Sequence, residues 1–167
     1  MKFLKLGFCV VLIFGLFNFS NASGQLFMEE SPLVGKAAKD FTLNTLKAQN
    51  VNMTKFRDDQ SAIVFFWATW CPHCREQLSA LNSSRQEIEK KGIKIILVDL
   101  GESPDQVRSY VEKNKIDLDV FLDQDQELAQ DYGLIGVPTL VFIDKKGITK
   151  AVDHHLPENY EQILSGS

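Results

Sequence analysis

Residues 62 to 74 read Ala62-Ile63-Val64-Phe65-Phe66-Trp67-Ala68-Thr69-Trp70-Cys71-Pro72-His73-Cys74. The first five are continuously apolar, β-branched or aromatic, the mark of a central strand buried on both faces. From Pro72 the pattern changes to a helical one. Leu78, Leu81 and Ile88 fall on one side, while Arg75, Glu76, Arg85 and Glu89 lie elsewhere. A strand therefore runs through a short Trp67–Trp70 connection into a helix that opens on two cysteines. Gly92 ends that helix, and Ile93 to Leu100 reads as the next buried strand.

Working outward, Phe41-Thr42-Leu43 and Val51-Asn52-Met53 alternate around a polar loop and predict a small β-hairpin. Ser103-Pro104-Asp105 is a helix start, with Val107, Tyr110 and Val111 as its apolar face. Val120-Phe121-Leu122 is a short strand, and Gln126 to Tyr132 a short helix ending at Gly133. Leu140 to Ile143 and Ile148 to Val152 form a hairpin around Asp144-Lys145-Lys146-Gly147, and Pro157 opens a last helix through Ile163. Strands that alternate with helices and end in a hairpin describe an α/β fold with a central mixed sheet.

The 167 residues suffice for one domain. Apolar residues make up 44% and charged residues 24%, with a formal charge of −4 and no basic cluster. That excludes a disordered chain and argues against nucleic-acid binding. Lys2 and Lys5 precede an apolar stretch from Leu6 to Phe19, followed by small residues at Ser20, Ala22 and Ser23. This is the layout of an export signal over 1–23, cleaved after Ala22 or Ser23, with a retained membrane anchor as the alternative. Residues 24–34 read as a linker and 35–167 as the folded domain. The expected location is extracytoplasmic, periplasmic in a bacterium with two membranes.

Cys9 belongs to the signal, which leaves Cys71 and Cys74 as a pair. A disulfide closing so short a loop contributes little stability, so the pair reads as reactive rather than structural. At a helix start, residues i and i+3 share a face. Cys71 then meets the free N–H groups and positive end of the helix, which favour its thiolate and lower its pKa below the free value of about 8.5. Pro72 suits the first turn because it has no N–H to lose. Cys74, one turn in, is the resolving thiol. His73 lies within reach of the thiolate and is expected to tune it, making the disulfide more oxidising.

Trp70-Cys71-Pro72-His73-Cys74 with Gly136-Val137-Pro138-Thr139 downstream resembles the thioredoxin superfamily. The run from Phe66 to Cys71, the N-terminal hairpin, the Asp99-containing strand and the Tyr132–Thr139 segment resemble its exported TlpA/ResA-like branch. The resemblance covers Gly35 to about Ile163. It implies a thioredoxin-like fold with an N-terminal β-hairpin extension and exchange of disulfides with protein substrates. It also implies a cis peptide bond before Pro138, beside the sulfurs. Val137, Pro138 and Trp70 are the expected substrate-binding residues. The reductase direction follows from the branch, whose members act for example in cytochrome c maturation, with electrons from a membrane partner.

Two positions depart from the pattern. The Glu common three residues after the second cysteine is Gln77, and the buried Asp of thioredoxins six residues before the first is Phe65. The CPHC motif itself resembles that of exported disulfide-forming oxidants, the alternative direction. Two further readings use the same fold. A thiol peroxidase would carry Thr where this chain has Ala68. A copper-binding chaperone would use CxxxC spacing and a distant His, for which His154 and His155 are the candidates. Asp123-Gln124-Asp125-Gln126-Glu127 lacks the Gly of a calcium loop, having Leu128, and reads as a helix cap. Neither a metal nor an organic cofactor is expected beyond the redox-active cysteines.

Overall fold

The computed structural model describes residues 31–166. The expected export signal, with Cys9 in it, and the expected linker up to residue 30 lie outside the described residues. A seven-stranded mixed sheet runs in the order β2-β1-β5-β4-β3-β6-β7. Its strands are β1 (Thr42–Thr45), β2 (Asn50–Asn52), β3 (Ser61–Trp67), β4 (Ile93–Leu100), β5 (Val120–Asp123), β6 (Thr139–Ile143) and β7 (Thr149–Asp153). β3, β4 and β5 are mutually parallel, and the remaining pairings are antiparallel. Parallel neighbours need crossovers, here supplied by α2 (Pro72–Lys90) and α3 (Pro104–Lys113).

All seven residues of β3 are buried, and successive side chains leave opposite faces. Ile63, Phe65 and Trp67 join the core cluster beneath α2, with Cys71, Cys74, Leu78, Leu81 and Leu97. Val64 and Phe66 join the cluster on the other face, with Ile96, Val98, Phe121 and Tyr132. Helix α2 buries Cys74, Leu78, Leu81 and Ile88; its second cysteine therefore begins the stripe that holds the helix down. The catalytic-candidate end of α2 is thus fixed by the same packing that fixes the fold.

Two local differences from the sequence reading have clear causes. Met53 is not a strand residue but starts α1 (Met53–Arg57). The Asn52 side chain caps it by accepting the Lys55 N–H at 3.1 Å. The last helix, α5, spans Tyr160–Ser165, three residues beyond Pro157, because Pro157-Glu158-Asn159 close a turn with Tyr160 N–H on the Pro157 carbonyl. α4 covers Glu127–Asp131; its free N–H groups at Leu128 and Ala129 are taken by the Asp123 carboxylate at 3.2 and 2.9 Å. That is the helix cap expected of the acidic run. The segment just before the hairpin is also fastened: Gly35 N–H donates to the Thr149 carbonyl, and Ala37 pairs with Ile148.

Candidate active site

β3 ends at Trp67, and Ala68, Thr69 and Trp70 turn the chain into α2. Cys71 is the N-cap of that helix, in extended backbone conformation, with Pro72 at the first helical position. Its sulfur accepts the Cys74 N–H at 3.2 Å, so the helix start donates directly to the reacting atom, the arrangement that favours a thiolate. The two cysteines form a disulfide with 5.2 Å between Cα atoms. Cys71 keeps 5% exposure and Cys74 none. Attack from solvent can therefore reach only the first sulfur.

The Val137–Pro138 peptide bond is cis, and its turn faces the pair. Cys71 Sγ lies 3.8 Å from the Val137 carbonyl oxygen, and Thr139 Oγ1 donates to the Gly136 carbonyl at 2.8 Å. Trp70 is 67% exposed and Ile135 wholly so. They are the two exposed large hydrophobic side chains among the described residues, and each is a close chain neighbour of the disulfide or the cis turn. The two tryptophans part company here. Trp67, at the strand end, is fully buried, whereas Trp70 points outward from the turn and adds nothing to the core.

His73 is exposed, with Nδ1 3.6 Å from Glu76 Oε2. Glu76, one turn along the helix, faces this exposed histidine. Gln77 is also employed structurally: its Oε1 accepts the Leu156 N–H at 2.8 Å, tying the chain after β7 to α2. Phe65 is fully buried in the cluster beneath the cysteines, so the position holds no carboxylate. His154 and His155 do not converge. His154 Nδ1 contacts the Pro138 carbonyl oxygen at 2.7 Å, while His155 pairs with Asp153 at 3.1 Å. Among the described residues no group of three His, Cys, Asp or Glu is placed to hold a metal.

The sequence reading missed a carboxylate pair behind the site. Glu102 is buried, and its oxygens accept both the Thr69 N–H at 2.5 Å and the Thr69 hydroxyl at 2.6 Å. Thr69 stands two residues ahead of Cys71, whose own N–H donates to Ala68. Glu102 therefore fixes the turn that presents the first sulfur. Asp99, at the end of β4, is 1% exposed. Burial, then the hydrogen bond and charge of Glu102, then the charge of Asp123, push its carboxyl up to about 8. One signal was visible in the sequence: Asp99 has the same parity as Ile93, Ile95 and Leu97, the inward positions of its strand.

Comparison with known proteins gives a consistent picture. The AhpC/TSA family model matches residues 34–152. Thiol-disulfide oxidoreductase ResA of Bacillus thuringiensis subsp. konkukian is 29% identical over 150 residues, covering 88% of this chain and 86% of that protein. ResA of Bacillus subtilis is 23% identical over 158 residues, covering 94% and 87%. Among solved structures, a thiol:disulfide interchange protein from Bacteroides sp. superposes with a TM-score of 0.69 at 21% identity, covering 80% of this chain and 91% of that one. StoA from Bacillus subtilis gives 0.63 at 23%, covering 78% and 98%. The structural likenesses show the fold, a mixed sheet of the thioredoxin type.

Proposed function

The chain belongs to the AhpC/TSA family, and from that premise and the setting of its cysteines we propose that it is a thiol–disulfide oxidoreductase acting on protein thiols and disulfides. The observation that carries the reading is the Cys74 N–H on Cys71 Sγ, with the Val137 carbonyl beside the same sulfur. In the reduced protein the Cys71 thiolate attacks a substrate disulfide. One S–S bond breaks, a mixed disulfide forms, and the first substrate sulfur leaves as a thiolate that takes a proton from water. Cys74, deprotonated in turn, attacks Cys71 Sγ and expels the second substrate thiol. The substrate is reduced by two electrons and the Cys71–Cys74 pair oxidised. The reverse sequence inserts a disulfide.

Substrate docking follows from the exposed groups around the sulfur. The open polar groups of Val137 can pair with an extended backbone, while exposed Trp70 and Ile135 offer apolar contact. Pro72 and His73 are the two residues whose replacement would retune the thiolate. Export from the cytoplasm, and a membrane partner that supplies electrons, belong to the same proposal, as does the reductase direction that the resemblance to the TlpA/ResA-like branch implies. A peroxidase reading finds buried Ala68, not a hydroxyl, three residues ahead of Cys71.

The test is the reduction potential of the pair, equilibrated against glutathione or dithiothreitol and read by tryptophan fluorescence. A value near or below about −250 mV supports the reductant, and one around −120 to −180 mV an oxidant or isomerase. Absence of a redox transition would sink the exchange reading in either direction.

A further inference from the structure

Among the described residues, three buried side-chain polar atoms lack a hydrogen-bond partner: Trp67 Nε1 and both carboxyl oxygens of Asp99. They occupy one place. Trp67 and Asp99 are register partners at the ends of β3 and β4, and both leave the sheet on the face that carries the two cysteines. A buried carboxylate without a donor is too costly to persist, whereas a buried carboxylic acid is not. The polar side chain that Asp99 does meet is another carboxylate, that of Glu102. Glu102 spends both oxygens as acceptors for Thr69, which leaves Asp99 as the donor of the two.

We propose that Asp99 is a positioning residue for disulfide exchange: as a neutral acid it donates to Glu102, keeps Glu102 on Thr69, and so holds the turn that presents Cys71. Loss of that proton sets two like charges against each other in one buried spot. Glu102 then withdraws from Thr69, and the frame of the Cys71 sulfur loosens. Of the groups acting on Asp99, the Glu102 backbone N–H favours the charged form, but burial and two neighbouring acids outweigh it. Glu102 comes from the loop after β4 and Asp123 from the end of β5, both acidic. Helix α3 contributes Tyr110, packed on Trp67 at 5.6 Å, and α2 contributes Arg75, whose charge acts on the Tyr110 phenol. Cys71 and Cys74 belong to the core cluster on the same face of the sheet. The neighbouring charges that act most on Asp99 are acidic, those of Glu102 and Asp123.

The consequence for exchange rests on the function proposed above; the carboxyl pair does not. The experiment is therefore an NMR titration of the oxidised protein, in which neither active-site cysteine carries a thiol. The Asp99 side-chain carboxyl carbon and the Thr69 amide proton are followed from mildly acidic solution to a pH of about 10. Both should report one midpoint near 8. In Asp99→Asn, whose amide donates to Glu102 at every pH, the Thr69 amide should not titrate. The rate of disulfide reduction by dithiothreitol, expressed per reagent thiolate, should change about threefold or more across that midpoint in the wild type and stay flat in Asp99→Asn. An Asp99 carboxyl that titrates in the ordinary carboxylate range overturns the proposal, as does a Thr69 amide or a rate that ignores the transition. The carboxyl titration needs neither the variant nor turnover. A silent pair in an active exchanger removes the positioning role, and a titrating pair in a protein without exchange activity removes the function.

Discussion

His154 Nδ1 lies 2.7 Å from the carbonyl oxygen of Pro138. The contact joins the end of β7 to the turn that faces the disulfide, and it gives the histidine a place in the site without a metal. Its net worth is about 1 kcal/mol, roughly a fivefold effect on a rate if the turn must be held to bind substrate. His154→Ala should therefore lower kcat/KM for a protein disulfide by about fivefold while leaving a small-molecule disulfide almost unaffected. Parallel assays with both substrates check this. Equal losses would place His154 on the chemistry of the sulfurs instead.

The difference in exposure between the two cysteines predicts an asymmetric pair of variants. Cys74→Ser should accumulate mixed disulfides through Cys71, the sulfur that solvent reaches, and Cys71→Ser should neither exchange nor trap. Loss of a disulfide closing so short a loop costs at most about 2 kcal/mol, so both variants should stay folded. Thiol trapping followed by mass spectrometry identifies the cross-linked cysteine; finding Cys74 as the attachment site would invert the roles.

Gly101 sits between Asp99 and Glu102 with φ of +75°, and a Cβ there would lie 2.7 Å from Gln126 Nε2. Gly101→Ala should cost about 1–2 kcal/mol in backbone strain and lower the melting temperature by several degrees. It should also slow exchange, because the strained peptide carries Glu102. Gly136, in open space and without a positive φ, is the control: Gly136→Ala should change stability by less than about 0.5 kcal/mol. Thermal melts of the two variants decide the comparison.

What could be read from sequence divides along physical lines. β3, α2 and β4 carry long, periodic apolar patterns, and their bounds in the structure differ from expectation by no more than about two residues. The cis bond before Pro138 and the capping role of Cys71 followed from residues whose partners lie close along the chain or in a specific motif. Helix α1 escaped because five residues hold no period; it exists through the Asn52 cap. Glu102 escaped for another reason. Its partner Thr69 is 33 positions away, and the two meet only because β3 and β4 run parallel in a register that pairs Trp67 with Asp99. Likewise the His154 contact depends on the β6–β7 pairing, with its irregularity between Phe142 and Ile143. Pattern reading finds elements; it does not find contacts created by register.

The acid at Asp99 makes a prediction for stability that is separate from exchange. Its carboxyl is raised to about 8 in the folded protein, first by burial and then by Glu102, against about 3.9 in the unfolded chain. The fold therefore holds this proton more tightly than the unfolded state does. The stability linked to Asp99 is fully present below about pH 4, falls as pH rises, and is lost once pH passes the folded value of about 8. A shift of this size corresponds to at most about 6 kcal/mol. Asp99→Asn cannot ionise, so its stability should lack this falling limb. Its melting temperature relative to the wild type should rise steadily over that window and stand several degrees higher at the alkaline end. Melts of both proteins across the window, in the oxidised state, supply the measurement. A constant difference at every pH would mean that Asp99 ionises as an ordinary surface acid, and Glu102 would then need another donor to remain on Thr69.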